Sequence, residues 1–199
     1  DWRGNSYDNF SNSTTPLPKR IVLAQAASNN NIIYELYENG LSNTSPDLSP
    51  EADLFKLDLT GGSPAWTNLS SNMPNFSGDN AATDPFAIQG AYDLMVAVKP
   101  DNPDFVLVGG TSLYRSSNGF SSPLTNTATD WVGGYGNTTL SAGLSIYPNS
   151  HPDMHIIAFR PDAPNECLSG HDGGVQRCTN ITATNVSWSM TANSQTRQY

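Results

Sequence analysis

The chain has 199 residues, 9 basic against 18 acidic, which gives a formal charge of −9 with only 14% charged residues. So acidic a chain, whose only adjacent basic residues are Lys19 and Arg20, is excluded as a phosphate-tracking nucleic-acid binder, and no apolar run reaches the roughly 18 residues that span a bilayer. Its polarity comes from 21 Asn, 23 Ser and 17 Thr, a composition of turns and loops rather than of salt-bridged helices.

Along the chain, helical periodicity is broken by Gly, Pro, Asn or Ser within a few residues, and short β-rich runs joined by turns recur instead. Ile21–Ala26 leads through Ser28–Asn31 into Ile32–Tyr37, and Leu94–Val98 leads through Lys99–Asp104 into Phe105–Val108. His155–Phe159 leads through Arg160–Asn165 into Glu166–Ser169. Each hairpin is followed by a further run (Asp53–Asp58, Gly109–Ser116, Gly170–Cys178) and then by a tryptophan, Trp66, Trp131 or Trp188.

A four-stranded antiparallel unit repeated three times with a periodic aromatic predicts an all-β chain, most simply a β-propeller with about three blades. The innermost strands would then be the small apolar runs Val96-Ala97-Val98 and Ile157-Ala158-Phe159. A β-sandwich with chance similarity between hairpins is the alternative. The expected division is a link or end of a preceding blade over 1–17, blades over 18–90, 91–150 and 151–192, and a link over 193–199 into a missing blade. Closed rings hold about four to eight blades, so three imply a partial ring, a fragment, or one completed by a partner.

Asp153-Met-His-Ile-Ile-Ala-Phe-Arg-Pro161, followed by Gly170-His-Asp-Gly-Gly-Val175, resembles the signature of the Asp-box (BNR-like) propellers. That group includes sortilin-type domains, xyloglucan-hydrolysing propellers and many secreted bacterial surface proteins, and the resemblance runs over about residues 18–199. The family's S-x-D-x-G-x-T-W box is degenerate here: Ser116-Ser-Asn118-Gly119 has Asn for Asp, Asp58 precedes Gly61-Gly62 and Trp66, and Cys178-Thr-Asn180 replaces Ser and Asp together. Such a box is a turn device, in which a carboxylate or amide caps backbone N–H groups while the tryptophan packs between sheets.

All three histidines, His151, His155 and His171, lie within 21 residues, beside Asp153 and Asp172. Positions 151, 153 and 155 share parity on an extended strand, and a turn symmetric about Ala163 would set His155 opposite His171. Converging at one end of a blade, the five side chains suit a divalent cofactor ion such as Zn²⁺ or Ca²⁺. Alternatively, Asp172 and Asp153 form a catalytic carboxylate pair, or the histidines bind ligand, or the whole set is structural, with Asp172-Gly173 a tight turn. The resemblance implies that this end faces the ligand-binding mouth of a propeller.

Cys167 and Cys178 are symmetric about Asp172-Gly173, so a two-residue turn there sets them directly across adjacent strands, where a disulfide is expected. The reservation is that this register makes them a hydrogen-bonded pair, whose spacing fits a disulfide less well. Asn-x-Ser/Thr sequons recur, among them those at Asn12, Asn43, Asn68, Asn75, Asn137, Asn180 and Asn185. The sequons by themselves do not imply glycosylation, but scarce lysine, abundant Asn, Ser and Thr and the expected disulfide together favour an extracellular, cell-surface or periplasmic setting.

Two functions follow as expectations. One is a secreted, non-catalytic binding or assembly module for protein or glycan, its partner a protein, a polysaccharide or the remaining blades. Loop aromatics such as Phe76, Phe86, Trp131 and Tyr135 would stack on sugars. The other is a glycoside hydrolase of the xyloglucanase-like type, for which Asp172 and Asp153 are the only pair to nominate.

Overall fold

The computed structural model of the chain describes residues 20–44, 48–76, 85–125, 127–135 and 146–193. The expected link over 1–17, all of the expected link over 193–199 except Asn193, and the sequons at Asn12 and Asn137 lie outside them. Three antiparallel sheets of four strands account for half of the described residues. The first holds β1 (Ile21–Ala26), β2 (Asn29–Glu38), β3 (Ala52–Asp58) and β4 (Ala65–Asn68) in chain order. The second holds β5 (Met95–Lys99), β6 (Asn102–Gly109), β7 (Ser112–Ser116) and β8 (Trp131–Gly134). The third holds β9 (Met154–Arg160), β10 (Ala163–His171), β11 (Gly174–Cys178) and β12 (Trp188–Asn193). Among the described residues helix is confined to a 3₁₀ turn, Ser70–Asn72, and a four-residue helix, Thr127–Asp130.

The three expected hairpins are the first two strands of each sheet, and each tryptophan stands in a fourth strand. The hairpin turns are tighter than the Pro/Asn/Asp runs suggest, because pairing extends outward to Lys99↔Asn102 and Ala163↔Arg160. Pro103 and Pro164 are accommodated because the register shifts beside them, which relieves a proline of the ladder hydrogen bond that it cannot donate.

The sheets stack face to face. Strand β5 lies against β1 on one side and β9 on the other. Alternation along β5 and β6 serves both neighbours. Val98, Val106 and Val108 join Ala26, Tyr34, Leu36 and Leu54 of the first sheet in one buried core. Met95, Ala97 and Leu107 join Met154, Ile157, Cys167 and Trp188 of the third in another. Both faces of the second sheet are thus buried, as the apolar character of Val96-Ala97-Val98 requires. Trp188, 2% exposed, also donates its indole N–H to the Val132 carbonyl across this seam at 2.7 Å.

The three segments compared with the Asp-box are turns. Asp58 and Asn180 accept backbone N–H groups from Thr60 at 2.8 Å and Thr182 at 3.1 Å, as expected of a capping carboxylate or amide. At the third box the cap is Ser116 instead. Its Oγ accepts the N–H groups of Asn118 at 3.3 Å and Phe120 at 2.9 Å while its hydroxyl donates to Asn118 Oδ1. The aromatics read as loop platforms divide: Phe86 is fully buried in the first core and Phe76 stacks on Tyr114 beneath it, so neither is presented for a ligand. Asn43, 4% exposed, is likewise closed to a glycan.

Candidate functional site

The site lies where the loop preceding β5 meets the start of β9. Ile88 and Thr111 anchor that loop: Thr111 donates its N–H to the Ala87 carbonyl at 2.9 Å, and Asp93 donates its own to Ile88 at 3.1 Å. A glycine is required at 110, because a Cβ there would collide with the Ala87 carbonyl oxygen. Gly110 then accepts the Met154 N–H at 2.8 Å, which fixes the start of β9 against the second sheet.

The parity expected for 151, 153 and 155 does not hold, because the strand begins only at Met154 and Asp153 adopts a left-handed backbone, φ 67°. A register shift between Gly170 and His171 further pairs His171 with Met154 instead of His155. The five expected side chains consequently fall into two groups on opposite sides of the ladder.

In one group, His171, 5% exposed, stacks on His151 with ring centroids 5.6 Å apart. Burial holds the His171 imidazole below its usual range, and its ring nitrogens lie near Gln176 without a hydrogen bond of good geometry. His151 is exposed and turns its Nδ1 to the carbonyl of Pro152 at 2.8 Å.

The other group combines four expected residues, His155, Asp172, Asp153 and Tyr135, with three that sequence reading missed, Gln89, Tyr92 and Asp93. His155 Nε2 meets Asp172 Oδ1 at 2.7 Å, while its Nδ1 is 3.8 Å from Asp93 Oδ1. Tyr92 sets its ring edge to face against His155, centroids 5.2 Å apart, and donates its hydroxyl to Asp172 at 3.4 Å. Gln89 donates to Asp153 Oδ1 at 2.9 Å. Tyr135 is half-buried within reach of the same carboxylates, whose charges, after burial, push its phenol up.

Asp93 is the electrostatic centre of this group. It is 0% exposed and neither of its oxygens receives a hydrogen bond from a donor. Burial, then the Asp153 charge, push its carboxyl up to about 7. Asp153 is raised as well, by burial and then by Asp172. The signal missed in the sequence was Tyr92-Asp93, directly before the inner strand Met95–Lys99, the place in the second repeat that corresponds to Asp153 in the third.

Among the described residues no group of three or more His, Cys, Asp or Glu side chains could hold a metal ion, so the expected set of His151, Asp153, His155, His171 and Asp172 is not assembled as ligands. Trp131 packs edge to face on Tyr147 at 4.9 Å and donates its indole N–H to Gly133, the behaviour of a loop anchor. Cys167 and Cys178 pair across β10 and β11 as expected, yet both are free thiols. Alternation back from the His171↔Gly174 closing pair makes them a hydrogen-bonded pair, the wider kind, which suits a disulfide poorly.

No protein-family model matches this chain, and no curated protein is significantly similar to it.

Proposed function

We propose that the chain is part of an extracellular propeller of the Asp-box type that acts as a non-catalytic binding module, taking glycan at the loop end of its second and third sheets. The observation that carries the reading is Tyr92. Its ring is 59% exposed beside the carboxylate of Asp172 and the amide of Gln89, and an open aromatic surface ringed by acceptors and a donor is how proteins hold sugar rings. The propeller is supported by the adjacency of β1, β5 and β9 and by the Ser116 turn. Open ends support further blades: Ile156 and Leu168, 57% and 41% exposed, occupy positions equivalent to Met95 and Leu107, which the third sheet covers. Scarce lysine and abundant Asn, Ser and Thr support a secreted setting.

A second reading, glycoside hydrolysis, is favoured by one observation. Asp153 is a carboxyl held above its usual range beside Asp172, a carboxylate that is 41% exposed, which is the pairing of acid and base that such chemistry uses. One experiment separates the two. A glycan array is followed by incubation with β-glucan and xyloglucan, with the Asp172→Asn variant in parallel. Binding without turnover supports the module, turnover lost in the variant supports the hydrolase, and neither binding nor turnover removes both.

A further inference from the structure

Resting on the glycan-binding reading, the geometry points to a ligand with a positive charge: we infer that the Tyr92 site takes the ammonium group of an amino sugar. Asp93, Asp153 and Asp172 gather there, and the ion pairs that Asp93 and Asp172 make among the described residues are with His155 alone. The guanidinium of Arg20 reaches the same loop, but it donates to the carbonyls of Ala91 at 3.2 Å and Tyr92 at 2.8 Å. A second observation is independent of the clustering: Asp93 is fully buried, faces His155 from below, and has acceptors that no donor of the chain fills. Buried acceptors of this kind are costly unless something supplies a donor or a charge.

An ammonium group supplies both. It is a compact cation with three donors, it is drawn to the carboxylates where water is partly excluded, and it is favoured over the rings of Tyr92 and Tyr135 by their negative faces. A metal ion does not fit, since no group of acidic, cysteine or histidine side chains among the described residues is arranged to hold one. The sugar, rather than a protein lysine, follows from the rest of the patch. Tyr92 lies open enough to carry a pyranose ring, with the Gln89 amide and Asp172 placed beside it for hydroxyls.

The test titrates the whole chain with glucosamine oligomers and with the same oligomers N-acetylated, at about pH 7, where a large share of the free amines is charged and the Asp93 carboxyl is not fully protonated. The expected result is binding of the amino form that weakens roughly tenfold on N-acetylation, and by a similar factor in Asp172→Asn or Tyr92→Ala. Both variants lie on the exposed side of the site, so they leave the folded state intact, as a thermal melt would verify. Equal binding of the two oligomers, or binding unchanged in Asp172→Asn, overturns the inference while leaving a glycan-binding module in place. Tighter binding of a lysine peptide than of the oligomer assigns the site to a protein ligand and overturns it too. If no glycan of any charge binds, the proposed function fails with it.

Discussion

Asp93 Oδ1 lies 3.8 Å from His155 Nδ1 on the seam between the second and third sheets, with its carboxyl pushed up to about 7 by burial and then by the Asp153 charge. In the unfolded chain an aspartate titrates near about 3.9, so between that pH and about 7 the folded state binds one proton more. Stability from this group therefore rises as pH falls from about 7 towards about 4, and it is lost as pH rises through 7. His171 acts in the opposite sense: its imidazole is held low by burial, so its contribution is lost as pH falls below about 6.5. Asp93→Asn, neutral at every pH, is expected to raise the melting midpoint near about pH 8 and to change it little near about pH 5. A variant that tracks the parent at both values would assign the dependence elsewhere.

Gly110 is expected to be intolerant of any side chain. A Cβ would meet the Ala87 carbonyl oxygen, which is backbone and accepts the Thr111 N–H, so the loop carrying Tyr92 and Asp93 has to shift. Gly110→Ala should cost about 1–3 kcal/mol, the usual range for overpacking, and abolish ligand binding at Tyr92. Urea denaturation together with the glycan titration reads both effects, and unaltered binding would show that the loop is not held from this point.

The Ser116 turn gives a finer comparison. Ser116→Ala leaves the N–H groups of Asn118 and Phe120 without their acceptor beside a fully buried Phe120, and is expected to cost about 1–2 kcal/mol. Asn118→Ala removes contacts with two hydroxyls only and should cost less. Were the two costs reversed in chemical denaturation, the amide and not the hydroxyl would be the principal cap.

Cys167 and Cys178 are both buried, and the hydrogen bond to Cys178, followed by burial, pushes the Cys167 thiol up. Thiol titration of unreduced protein should find almost none reactive in the native state and two after denaturation. None after denaturation would mean that the cross-strand disulfide forms despite its register.

The sequence by itself determined the strands, their grouping into three units and much of their pairing. Alternation and turn chemistry act over a few residues, which is why Cys167↔Cys178 and Phe159↔Cys167 could be counted out from Asp172-Gly173 and Ala163. It also placed Asp172 and His155 in one site. What only the tertiary structure decided is the composition of that site. One positive φ at Asp153 and one slipped pair at His171↔Met154 divide the histidines between two sides of a sheet, and neither is encoded in residue spacing. Asp93 was invisible for another reason. Its significance arises from burial against a carboxylate 60 residues away in the chain, and desolvation is a property of the packed sheets, not of any local segment.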